Sequence, residues 1–154
     1  MRNTKWIKRK EFESLFATVN AGGKNIWVII RVKELPSEVI EMALRLSSLD
    51  FIKHIRITDQ TIAALSEIKG TRVKEPITEL DHPTAISIEI LYHIAYKVID
   101  FFEINSPVKG NGNKMVSAVL TNFPKDWKSA VVMDWSGGFW NKMKEKHSNI
   151  EWLI

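Results

Sequence analysis

The chain contains no cysteine. Disulfides, thiolate nucleophiles and zinc–thiolate sites are excluded, and a reducing cytoplasm is compatible with that absence without being required by it. Paired histidines are missing too. His54, His82, His93 and His147 are scattered, none at the spacing of a metal-ligand pair, and no His-Glu-x-x-His run occurs. There are no internal repeats, no low-complexity tract and no composition shift marking a domain boundary. What is present is 154 residues, 45% hydrophobic and 26% charged, which suits one soluble domain (residues 1–154) able to bury a core without covalent staples.

The net charge of +4 is local. Arg2, Lys5, Lys8, Arg9 and Lys10 supply five of the 22 basic residues with no acid among them, and the 17 that remain face 18 acids. Residues 1–10 therefore read as a basic arm on a near-neutral body. No apolar run follows the arm, because Glu11, Glu13 and Asn20 interrupt, so a secretory signal is not expected and the cytoplasm is.

The longest apolar stretch is Leu80 to Ile104, in which Glu89, His93, Lys97, Asp100 and Glu103 recur every three or four residues. That spacing predicts a helix over about 83–104 with one polar stripe, about 30 Å long at 1.5 Å per residue. Five ionisable groups argue against a membrane span. It is expected to be the central core helix.

Around it the pattern reads as alternating elements. An amphipathic helix is expected over about Arg9–Val19, a turn at Asn20–Asn25, and a β-branched buried strand over Ile26–Val32. Pro36 in the first turn and Glu38 and Glu41 at the positive end start a helix that stops near Ser47–Ser48. Phe51–Ile57 alternates as a half-buried strand. Thr58-Asp59 would cap a helix through about Ile68, with Ile62, Leu65 and Ile68 inward and Gly70 ending it. After a polar loop over Asn105–Asn113, Lys114–Thr121 and Ala130–Trp135 read as an antiparallel strand pair, Phe139–His147 as a short helix and Ile150–Ile154 as a last strand or docked tail. The expected fold class is α/β, with α+β as the alternative: a mixed sheet with helices around the central one.

Candidate sites each have a plainer explanation beside the functional one. Glu89, His93 and Lys97 lie one helical turn apart, as acid/base chemistry could use, yet helix geometry alone gives that spacing. Asp81-His82 marks the start of the predicted helix more naturally than a dyad. Asp134-Trp135-Ser136-Gly137-Gly138-Phe139-Trp140 could cradle an anion on backbone amides, but it lacks the phosphate-loop Lys-Ser/Thr and the Gly-x-Ser-x-Gly elbow. A strand-to-helix turn between two packing tryptophans explains it with less. The arm, Lys5-Trp6-Ile7-Lys8-Arg9-Lys10, mixes basic and aromatic residues as a nucleic-acid contact would; a solvated tail is the simpler account. Six tryptophans are many for this length, and exposed Trp anchors interfaces, so Trp127, Trp135 and Trp140 join Glu89, His93 and Lys97 as candidate partner-binding residues. No catalytic residue, cofactor site or metal ligand is assigned.

In overall character (small, single-domain, cysteine-free and without a concentrated catalytic cluster) the chain resembles immunity proteins of bacterial toxin systems, including contact-dependent growth inhibition. The resemblance implies a cytoplasmic bacterial protein whose partner is a cognate toxin, neutralised by covering its active site. It rests on no motif, so it transfers no residue, and the near-neutral body departs from the acidic surface of inhibitors of nuclease toxins. Two alternatives stand beside it: a nucleic-acid-binding accessory protein using Arg2, Lys5, Lys8, Arg9 and Lys10, and a small enzyme using the Glu89–His93 stripe or the Ser136-Gly137-Gly138 turn.

Overall fold

The structure, a computed structural model, describes residues 6–8, 25–28, 34–66, 86–106, 110–132 and 138–153. The expected Arg9–Val19 helix, Arg2, Lys5, Arg9 and Lys10 of the basic arm, Asp81-His82 and Trp135-Ser136-Gly137 lie outside them.

Among the described residues, nine strands and three helices follow in chain order: β1 (Trp6–Lys8), β2 (Asn25–Val28), β3 (Glu34–Pro36), α1 (Ser37–Ser47), β4 (His54–Ile57), β5 (Thr61–Leu65), β6 (Ser87–His93), β7 (Val98–Asn105), α2 (Asn111–Leu120), β8 (Lys128–Val131), α3 (Phe139–Lys146) and β9 (Trp152–Leu153). β1 pairs antiparallel with β3. The other seven form one mixed sheet in the order β2-β4-β5-β6-β7-β8-β9. Its middle, β4 to β7, is an antiparallel meander; β2 joins β4, β8 joins β7 and β9 joins β8 in parallel. The mixed α/β sheet is as expected. The long central helix is not there.

Residues 87–105 form a β-hairpin instead. Ile88, Ile90 and Tyr92 of β6 and Ile99 and Phe101 of β7 are buried on one face, while Glu89, His93 and Asp100 take the other. The helical pattern was deceptive for a geometric reason. A spacing of four is even, so Glu89 and His93 share a face of a strand as well as of a helix. The step of three from Asp100 to Glu103 would change faces, but Phe102 has no partner in the ladder: Glu89 faces Glu103 while Ile90 faces Phe101. This bulge returns Glu103 to the polar face. Isoleucine-rich, β-branched composition then favours the strand. The chain reverses over Ile94–Lys97, where Lys97 has φ 54°.

Two further expectations change. Thr58 does cap, but it caps a turn: its Oγ1 accepts from Gln60 and Thr61 amides at 3.2 and 2.9 Å, and its own amide bonds to Thr61 O. The segment expected as a helix to Ile68 is therefore β5, whose Ile62, Ala63, Ala64 and Leu65 are buried on both faces, so that no periodicity shows. Lys114–Thr121, expected as a strand, belongs to α2, with Met115, Val116, Val119 and Leu120 as its buried stripe. β8 consequently pairs in parallel with β7 across that helix and not in an antiparallel hairpin.

The core lies between the sheet and the helices. α1 buries Val39, Ile40, Met42, Ala43 and Leu46, and Arg45 on its flank donates to Ala118 O at 2.7 Å and Val119 O at 2.9 Å near the end of α2. Burial works against the charge of Arg45, while nearby Glu41 supports it. α3 docks through Trp140, whose ring lies 4.9 Å from Phe101 and 6.4 Å from Trp152. The helix from Ser37, the short helix from Phe139 and the terminal strand stand as expected from the sequence. Among the described residues no helix is long and apolar enough to cross a membrane.

Candidate functional site

The six residues proposed to meet a partner have different fates. Trp127 and Trp140 are each 3% exposed and belong to the core, so neither has the exposure an interface anchor needs. Trp135 lies outside the described residues. Glu89, His93 and Lys97 gather on and beside the β6–β7 hairpin. His93 Nε2 lies 2.8 Å from Asp100 Oδ2, and Lys97 bonds to Asp126 on the loop before β8. Tyr96, at the tip, is 80% exposed.

On the polar face Glu89 sits directly across from Glu103, and Arg56 approaches Glu89 at 3.8 Å. Burial raises the Glu89 carboxyl above its ordinary range; Arg56 pulls it down and Glu103 adds to the rise. The Arg56 Nε is buried without a hydrogen-bond partner. This group stays close to a structural ion pair, since among the described residues nothing beside it offers a nucleophile or a reacting position.

The other concentration of polar groups lies where α2 and α3 begin. β7 and β8 are parallel neighbours, so the turns leaving their carboxyl ends emerge at the same end of the sheet. α2 starts after Gly110 (φ +96°) and α3 after Gly138 (φ +123°). Both glycines are in backbone conformations that L side chains rarely adopt. Neither helix has a side-chain cap or an acid in its first turn. The first intrahelical bond of α2 runs from Lys114 N to Gly110 O, so the amides of Asn111, Gly112 and Asn113 lie ahead of it. α3 begins in the same way, with Lys142 N bonded to Gly138 O.

The two starts touch. A Cβ on Gly112 would fall 3.2 Å from Phe139 Cε1, so this glycine lets the first turn of α2 approach the first residue of α3. Further along, Ser117 of α2 meets His147, just past the end of α3, at 3.3 Å, so the helices run side by side in one direction. Their positive ends therefore point the same way from the same place. A Cβ built on Gly110 would meet nothing within 4 Å. Lys146 adds an ammonium to the first turn of α2, its Nζ 2.8 Å from Asn113 Oδ1.

No family model, curated protein or solved structure matches this chain. The chemistry must be read from the residues.

Ser117 and His147 have the outward form of a nucleophile and its base, but the serine hydroxyl has other partners. Ser117 Oγ reaches Asn113 Oδ1 at 3.1 Å, closer than His147 Nε2 at 3.3 Å, and accepts from Lys146 at 3.3 Å, so Asn113 competes with His147 for its one proton. The cluster ties α2 to α3. Burial, with help from Lys146, lowers the His147 pKa, keeping the imidazole neutral near pH 7. No group of three or more metal-ligating side chains occurs among the described residues. What the arrangement is suited to is holding an anion. The sequence pointed to half of this site, through the turn ending at Gly138. Gly110-Asn111-Gly112 reads in the sequence as part of a polar loop; the apolar stripe starting at Met115 is the available sign that a helix follows it.

Proposed function

We propose that this protein binds a small molecule bearing phosphate groups at the paired N-termini of α2 and α3. The observation that carries the proposal is the pairing itself: two uncapped helix starts, free of acids, in contact at the carboxyl ends of adjacent parallel strands. Helix N-termini favour anions through backbone amides and the helix dipole, and open sheets with helical crossovers place ligands at the carboxyl ends of their parallel strands. Exposed Phe102 on β7 and Val132 after β8 offer apolar surface for the less polar part of such a ligand. Titrating pyrophosphate into the full chain, with tryptophan fluorescence as readout, tests it. Trp140 is the second residue of α3, so a saturable change is expected. A flat response up to millimolar ligand would sink the proposal.

A second proposal rests on the hairpin tip. Tyr96, 80% exposed and flanked by the His93–Asp100 and Lys97–Asp126 pairs, is placed as a protein-contact residue would be. It keeps alive a cytoplasmic immunity protein with a toxin as partner, the contact passing through Tyr96, His93 and Lys97 and not through Trp127 or Trp140. Co-expression with the product of the gene immediately upstream decides it: a toxic neighbour must be neutralised by the wild type and less so by Tyr96→Ala. A nucleic-acid role for residues 1–10 would show as salt-dependent binding of DNA or RNA that is lost when they are deleted.

A further inference from the structure

Two nitrogens of opposite habit meet on one hydroxyl at the seam between α2 and α3. Ser117 Oγ lies 3.3 Å from His147 Nε2 and 3.3 Å from Lys146 Nζ, so the imidazole and the ammonium are no more than twice that distance apart. Lys146 Nζ also donates to Asn113 Oδ1 at 2.8 Å. While His147 is neutral, this is a hydrogen-bonded cluster holding one charge. A proton on the ring sets a second positive charge beside the first, well inside one Debye length at physiological salt, and the two repel.

Which of them gives way follows from how each is held. The His147 amide bonds to Met143 O at 2.9 Å, and its carbonyl accepts from the Ile150 amide and the Trp152 indole N–H, each at 3.1 Å. Lys146 is exposed, has no acid partner among the described residues, and stands on a flexible stem that can turn into water. Around the ring, α3 presents the Lys146 ammonium, α2 the uncharged Asn113 and Ser117, and β9 the indole of Trp152. Glu151, beside Trp152, is bridged to Lys128 at 3.1 Å. The negative end of α3 favours a cation, but it favours Lys146 and His147 alike. Burial of the ring and the Lys146 charge both place the His147 titration below its ordinary 6.5.

We infer that Lys146 is a latch between α2 and α3, closed on Asn113 and Ser117 while His147 is neutral and released into solvent when His147 takes up a proton. Acid thereby loosens this side of the seam while both helices stay folded, and withdraws the ammonium from the first turn of α2. The latch needs no ligand, so it stands or falls apart from the anion site.

The test follows the His147 ring protons by NMR in a pH titration of the full chain, together with melting temperature against pH, for wild type, Lys146→Met and Lys144→Met. Lys146→Met should move the His147 midpoint up toward 6.5, and Lys144→Met, with the same loss of charge on the same helix, should leave it in place. Well above pH 6.5 Lys146→Met should melt lower than wild type, because the closed latch is lost. Below the wild-type midpoint that difference should shrink by about half or more, because the latch is already open. The latch is overturned if Lys146→Met leaves the midpoint unmoved, if Lys144→Met moves it as far, or if the melting difference is the same on both sides of the midpoint.

Discussion

Single residues here do their work mainly as ties between elements. Arg45 is the clearest case, since its guanidinium satisfies two carbonyls close to the end of α2, where the helix offers negative charge. Arg45→Ala should destabilise the fold by about 2 kcal/mol, the scale of hydrogen bonds to a charged group, as read from urea denaturation. Arg45→Lys should recover only part, because an ammonium cannot reproduce the fork. His147 gives a pH signature. Its folded pKa is below the ordinary 6.5, so above that value it is neutral in both states and contributes no slope. As pH falls through 6.5 the unfolded chain takes up the proton first, and stability declines toward the lower folded pKa. Glu89 acts in the other direction in a more acidic window: its raised pKa means stability is lost as pH rises from 4.5 through the folded value. His147→Gln should therefore flatten the stability profile just below pH 6.5 and leave the Glu89 window above pH 4.5 unchanged in sign.

At the scale of elements, the starts of α2 and α3 depend on one close approach. Gly112→Ala would set a methyl 3.2–3.3 Å from the Phe139 ring, tighter than ordinary packing. A loss of about 1–3 kcal/mol is expected, typical of overpacking, with a change in the fluorescence of Trp140 beside Phe139. Gly110→Ala is strained by its positive φ alone and meets no atoms. How legible these elements were depended on whether a pattern had one meaning. Ser37–Ser47 had a proline start, acids in place and a helical stripe, all in agreement, and it was readable. Residues 87–105 were not, because even spacings satisfy both periods and the bulge at Phe102 disguised the one odd step. β5 was hidden by burial on both faces. Of the site, Gly138 could be seen in the sequence, but the contact between Gly112 and Phe139 joins residues that nothing local connects.

For the whole molecule, charge and topology single out the same region. Three parallel strands, β7, β8 and β9, are linked through α2 and α3, and those helices carry Lys114, Lys142, Lys144 and Lys146 against a single acid, Glu145. The meander from β4 to β7 carries the cross-strand pairs Arg56–Glu89 and His93–Asp100. One substitution separates the role of this region in binding from its role in stability. Asn111→Asp places a carboxylate in the first turn of α2, where a negative charge complements the helix dipole but competes with a bound anion. The measurement is pyrophosphate affinity together with thermal stability, for wild type and Asn111→Asp. The proposed site requires binding to weaken about tenfold or more while the melting temperature stays level or rises. Unchanged affinity in a stable variant would contradict it.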